Sequence, residues 1–241
     1  MTLEENRMNL YMPSSIFSEL ECCEDIKPTH RDLVFGYLFI LGISWKYGYY
    51  ARCKLTLSDF KEGLGYSRLD KRTNYLFKVG GVLDAQGYTR ASRNPPVSFK
   101  YEDGIITHIY VNDLEKESSE EIIREYINNC NIKEPLFYEN NSKNNFKGML
   151  NLKLSTFNFF LNLYDDRKKG VSLFFLYAFL LYMYRVNDNS LFQCSNDTLQ
   201  KYMGWSIKKT IASTNALEQL GLIKKEQEKR AKGNINTYIL L

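Results

Sequence analysis

Three short runs near the C-terminus decide the fold. They are Ser195-Asn196-Asp197-Thr198-Leu199, then Met203-Gly204-Trp205-Ser206-Ile207-Lys208-Lys209-Thr210-Ile211, then Leu217-Glu218-Gln219-Leu220-Gly221. Ser195 has a side chain able to accept a backbone N–H at a helix start, and Leu199 and Met203 follow it on one face. Gly204-Trp205 reads as a tight turn. Ser206 then caps a second helix over residues 207–220, whose apolar face is expected to hold Ile207, Ile211, Leu217 and Leu220. Gly221 ends that helix with the left-handed geometry glycine permits. Upstream, residues 171–185 are apolar nearly all round, as in a central core helix. Residues 187–190 form a turn and residues 191–194 a short strand. Downstream, residues 222–227 read as a strand, Lys229-Arg230-Ala231-Lys232-Gly233-Asn234 as a basic hairpin tip, and residues 235–241 as the returning strand.

The same plan occurs earlier in the chain. Asp32-Leu33-Val34-Phe35-Gly36-Tyr37-Leu38-Phe39-Ile40-Leu41 aligns with Ser172-Leu173-Phe174-Phe175-Leu176-Tyr177-Ala178-Phe179-Leu180-Leu181 at an offset of 140. Leu64-Gly65-Tyr66-Ser67 matches Met203-Gly204-Trp205-Ser206, and Leu83-Asp84-Ala85-Gln86-Gly87-Tyr88 matches Leu217-Glu218-Gln219-Leu220-Gly221-Leu222. Pro13-Ser14-Ser15-Ile16-Phe17 resembles Leu154-Ser155-Thr156-Phe157. Order is kept across four segments, which is the mark of an internal repeat. The first copy departs from the second in two ways. Extra residues sit around Arg68 to Arg72, and Gly80-Gly81 falls inside the corresponding helix, where each glycine costs up to about 1 kcal/mol relative to alanine.

Helix, short strand, helix, tight turn, helix and basic hairpin is the element order of a winged helix. The chain resembles the winged-helix DNA-binding family over residues 171–241, and less closely over residues 31–111. The expected architecture is therefore α+β and mainly helical, with two winged-helix domains related by the repeat. The expected boundaries are residues 1–115, an acidic helical linker at 116–145, and residues 146–241. In the linker, Ser118 and Glu121 have capping-box spacing, and Ile122, Ile123, Tyr126 and Ile127 form one stripe.

Charge follows this division. Residues 31–111 carry 12 basic and 7 acidic groups, and residues 141–241 carry 15 and 7. Residues 1–30 and 112–140 are acidic, with net charges of −4 and −5. Two basic blocks suit a polyanion touched by both domains. The five cysteines have irregular spacing and no CxxC, so a disulfide framework or zinc site is not expected and a reducing cytoplasm is. Two histidines supply little for a triad or a multi-histidine metal centre. The apolar run at residues 173–183 is shorter than the ~20 residues of a membrane span, so it is read as a buried helix. Neither a nucleotide-binding glycine motif nor a nucleophile elbow is present. No cofactor, metal, membrane contact or catalytic activity is expected.

A helix after a tight turn presents its N-terminal side chains to base edges in the major groove. In the second copy the expected contacts are Ser206, Lys208, Lys209, Thr210, Ser213 and Thr214, with Lys229, Arg230, Lys232 and Asn234 from the hairpin. In the first they are Arg68, Lys71, Arg72, Asn74, Tyr75 and Lys78, with Arg90, Arg93 and Lys100 from its hairpin. The competing role there is dimerisation. Within the family, the chain is most similar to the replication initiators of plasmids and phages. That resemblance implies double-stranded DNA binding at repeated origin sites, a homodimer, and contacts with host replication proteins. The alternatives are a transcriptional or partition regulator, and a replisome adaptor that acts through protein–protein contacts.

Overall fold

A computed structural model describes residues 7–47, 57–67, 69–78, 80–91, 97–102, 105–110, 133–135, 149–187, 191–230 and 233–241. The expected linker helix at 118–127 and most of the linker lie outside them. The architecture is α+β, with helices and small antiparallel sheets. The chain divides into two compact units: residues 1–36 with 144–241, and residues 37–143.

The first unit begins with strand β1 (Asn9–Pro13) and helix α1 (Ile16–Cys22), followed by α2 (Arg31–Tyr47), inside which the unit boundary falls. It resumes with β6 (Met149–Lys153), α6 (Leu154–Asn162), α7 (Arg167–Val186), β7 (Phe192–Cys194), α8 (Asn196–Met203), α9 (Ile207–Gln219), β8 (Ile223–Arg230) and β9 (Gly233–Leu240). Strand β1 pairs antiparallel with β6, and β7, β9 and β8 form a three-stranded sheet in that order.

The sequence boundaries assign residues 1–36 to the first half. In the structure they complete the core of the C-terminal unit, because their apolar side chains and the β1 ladder find partners there. Phe17 packs on Phe35, Phe175, Phe179 and Tyr182, with ring centroids 5.2–5.8 Å apart. Positions 140 residues apart also meet one another. Tyr11 pairs with Asn151 at the centre of the β1–β6 ladder, the Ser172 hydroxyl donates to Asp32, and the Phe35 and Phe175 rings lie 5.2 Å apart. Each pair is separated by 140 residues, the offset of the alignment.

Helix α7 is the central element. Every residue from Gly170 to Leu180 except Tyr177 is buried. Gly170 allows the close approach of α6, since a Cβ there would lie 2.2 Å from the Phe160 carbonyl oxygen. The helix has 20 residues, longer than its most apolar run. Among the described residues it is the one helix long and apolar enough to cross a membrane, by length and composition.

The second unit contains the rest of α2, then α3 (Leu57–Gly63), α4 (Asn74–Phe77), α5 (Val82–Ala85), β2 (Thr89–Ala91), β3 (Val97–Glu102), β4 (Ile105–Tyr110) and β5 (Lys133–Pro135). Tyr37 anchors its core, with Phe60 and Phe77 at 5.1 and 4.4 Å between centroids. Strand β4 returns against β3, whereas β2 pairs with β5.

Candidate nucleic-acid interface

The segment from α8 to β9 is built by local capping. The Ser195 hydroxyl accepts the Thr198 N–H at 3.0 Å and starts α8. Gly204 ends it at φ +70°. A Cβ at Gly204 would lie 2.5 Å from the Pro28 carbonyl oxygen, so glycine is needed for conformation and for space alike. The Ser206 hydroxyl then accepts the Lys209 N–H at 3.3 Å and starts α9. On the other side, the Glu218 carboxylate accepts the Lys225 N–H at 2.9 Å and fastens β8 to α9. Asn236, buried on β9, donates to the Asn196 side-chain oxygen at 2.7 Å and ties the sheet to the start of α8.

The N-terminal segment locks this segment from behind. The Arg31 guanidinium donates to the carbonyls of Lys201 and Tyr202 at the end of α8, and to that of Glu21, each at 2.9 Å. A cation there complements the helix dipole. Burial pulls Arg31 below its ordinary pKa, and the nearby Glu21 carboxylate opposes the shift. The Lys209 ammonium is 2.9 Å from Asp32 Oδ2 and 4.2 Å from the Trp205 ring centroid. Asp32 is buried and accepts the Ser172 hydroxyl at 2.5 Å. Lys209 is therefore committed to an ion pair and a cation–π contact inside the protein.

The face of α9 is turned from the one expected. Thr210, Ser213 and Thr214 are buried with Leu217, whereas Ile207 and Ile211 are 39% and 38% exposed. The reason lies in the hydroxyls. Thr210 Oγ1 donates to the Ser206 carbonyl at 3.1 Å and Thr214 Oγ1 to the Ile211 carbonyl at 3.0 Å, so both pack inward with their polar atom satisfied by their own helix. Ser206 and Lys208 are exposed at the N-terminal end. The hairpin strands reach further than expected, to Arg230 and Gly233, so Lys229 and Asn234 form an exposed cross-strand pair on the ladder. The Arg230 side chain and Lys232 lie outside the described residues.

In the second unit, Arg68 and Arg93 lie outside the described residues, as do the side chains of Arg90 on β2 and Lys100 on β3. Lys71 and Lys78 are exposed and Tyr75 half-buried. Arg72 is exposed but pairs with Asp70, Nη2 to Oδ2 at 2.7 Å. The hydrogen bonds from the Arg72 side chain and backbone pull the Asp70 carboxyl down to about 2. Asn74 accepts a hydrogen bond from the buried Lys61. Arg72 and Asn74 are thus engaged within their own unit.

Sequence reasoning missed two sets of residues. Arg31 and Asp32 act across about 170 positions, a distance no local motif bridges. Lys168 and Lys169 follow the α7 cap Asp166, whose carboxylate accepts the Lys168 N–H at 3.1 Å. Together with Lys208 and Lys209 they line a cleft of about 610 Å³ between the start of α7 and the length of α9, as far as Gln219. Neither helix has an acidic residue in its first turn. Cations at these positions oppose the helix dipole by about 0.3–1 kcal/mol each. That pattern, basic where helix physics prefers acidic, was a readable signal. Among the described residues no group of three or more His, Cys, Asp or Glu gathers to hold a metal. No protein-family model, curated protein or solved structure matches the chain.

Proposed function

We propose that the protein binds double-stranded DNA, with α7 to β9 acting as a winged helix and α9 as its reading helix. The observation that carries this is the exposed basic N-terminal end of α9. Ser206 and Lys208 lie there on a 13-residue helix that follows a left-handed glycine turn, with a lysine-bearing hairpin next in the chain. The +8 net charge of residues 141–241 favours the phosphate backbone. On this reading the base-facing set is Ser206, Ile207, Lys208 and Ile211, since an isoleucine suits a thymine methyl. Lys209 positions the helix. Residues 31–111 are the related copy on this reading: Gly65 and Gly87 share positive φ with Gly204 and Gly221, the glycines they align with. Replication initiation at repeated sites is the role the family resemblance favours, with transcriptional or partition control as its alternative.

The exposed Ile207 and Ile211 favour a second reading, a protein-binding adaptor that uses the same helix face. Titrating salt against binding to genomic fragments separates the two. DNA binding predicts a log–log slope of about −0.9 per neutralised phosphate. A flat response, or no binding at low salt, would falsify the DNA reading. Genome-wide mapping of bound DNA then distinguishes origin repeats from promoters.

A further inference from the structure

Three serines line the cleft between α7 and α9, and one of them has no partner. Ser172 donates to Asp32 and to the Lys168 carbonyl, and the Ser206 hydroxyl accepts the Lys209 N–H. Ser213 is 9% exposed, yet its hydroxyl makes no hydrogen bond among the described residues. Its neighbours Thr210 and Thr214 turn their hydroxyls back onto carbonyls of α9. The Ser213 hydroxyl opens on the cleft instead. A polar group buried this far is ordinarily satisfied, by the protein or by something bound to it.

The rest of the wall defines that partner. Ala212 and Ala216 flank Ser213 on α9, and Leu173 and Tyr164 face the cleft from α7 and the loop before it. Such side chains leave room for a flat apolar body, and a volume of about 610 Å³ is that of a small-molecule site. At one end stand Lys169 and Lys208. No described carboxylate pairs with either, and the Lys169 ammonium lies 4.5 Å from the Tyr164 ring centroid. Lys168 and Lys209 have partners of their own, and the Asp166 carboxylate at this end accepts the Lys168 N–H. Two unpaired ammonium groups favour an acid group beside them. Ser213 lies five residues beyond Lys208, about 7.5 Å along the helix axis.

We propose that the cleft binds a small organic acid. Its acid group meets Lys169 and Lys208, its flat body lies against Ala212, Ala216 and Leu173, and a hydroxyl or carbonyl at its far end pairs with the Ser213 hydroxyl. The assignment does not depend on α9 reading DNA.

The test uses the full chain with three probes: cinnamate, p-coumarate, which adds a hydroxyl at the far end, and the uncharged cinnamamide. Thermal melts and amide NMR shifts report binding. Both acids are expected to raise the melting temperature and to shift the amides of Ala212, Ser213 and Ala216, with cinnamamide binding more weakly than cinnamate. p-Coumarate should bind about two- to tenfold more tightly than cinnamate, the worth of one hydrogen bond. Ser213→Ala should abolish that advantage while cinnamate still binds, with a melting temperature unchanged or higher because an unpaired hydroxyl has gone. Ala212→Leu, on the exposed rim, should block both acids without unfolding the chain. The proposal is overturned if neither acid binds at millimolar concentration, if cinnamamide binds as tightly as cinnamate, or if the shifts gather at Ile207 and Ile211 alone. A p-coumarate advantage that survives in Ser213→Ala also overturns it.

Discussion

The two stretches that align in the sequence treat the same element differently. In the C-terminal copy, α9 runs unbroken for 13 residues after its turn. In the other, the corresponding stretch is two four-residue helices, α4 and α5, separated by Lys78 to Gly81. Gly80 adopts φ +69°, and a Cβ at Gly81 would lie 2.7 Å from the Tyr75 carbonyl oxygen. The break is held by side chains as well. The Asp84 carboxylate accepts the Gly80 N–H at 2.8 Å and the Thr89 hydroxyl at 2.5 Å. The turns at Gly65 and Gly204 are thus alike in backbone conformation, while one of the two aligned stretches lacks the continuous helix. Divergence of function is expected to follow. Under the DNA-binding proposal, the long capped helix is the base reader, and the broken stretch is left with pairing or backbone contact.

The largest break in this comparison comes from cutting the chain. Residues 144–241 without 1–36 lose β1, α1, Arg31 and Asp32, together with the buried Leu10, Met12, Ile16, Phe17 and Leu20. At about 1.5–3 kcal/mol for each buried side chain, the loss is on the order of 10 kcal/mol, comparable with the whole stability of a domain. The fragment is expected to show no cooperative melt by circular dichroism. Adding residues 1–36 in trans should restore one. A sigmoidal melt of the fragment alone would return the N-terminal segment to the other copy.

Next in size are the two glycines that flank α9, Gly204 before it and Gly221 after it. Gly204→Ala meets both positive φ and the Pro28 backbone, and should cost about 2–4 kcal/mol. Gly221→Ala has the same sign of φ but open space around it, and should cost about 1 kcal/mol. Urea unfolding of both variants measures the difference. Equal losses would mean that Pro28 yields and the close approach is unimportant.

Asp32→Ala leaves a half-buried lysine without its carboxylate, and Lys209→Met leaves a buried carboxylate without its cation. Each is expected to destabilise by about 1–3 kcal/mol. Discrimination between specific and scrambled DNA should fall less for Lys209→Met than for Lys208→Ala. The reverse order in competition titrations would make Lys209 a base reader that leaves Asp32 on binding.

The smallest effect belongs to the other unit. Asp70 titrates from a value lowered to about 2 by Arg72. A lowered carboxylate favours the folded state above its ordinary pKa of about 4, and that contribution is lost as pH falls toward about 2. Carboxyl chemical shifts followed by NMR should show Asp70 titrating near 2 in the wild type and closer to 4 in Arg72→Ala. No movement would show that Arg72 does not hold it.

Local chemistry in the sequence determined the helix starts at Ser195 and Ser206, the left-handed glycines at 204 and 221, and the order of elements from α7 to β9. Each of these depends on a few neighbouring atoms: a hydroxyl reaching an N–H three residues on, or a missing Cβ at positive φ. The offset of 140 was legible too, because it needs only pattern. Tertiary structure decided which face of α9 is buried. Threonines count as polar in a sequence, yet Thr210 and Thr214 return their hydroxyls to their own backbone and pack as small apolar groups. It also decided where residues 1–36 belong, since the β1–β6 register and the Asp32–Lys209 pair join positions about 140 and 177 residues apart. Contacts at that range follow from which apolar surfaces meet in three dimensions, and no local propensity encodes them.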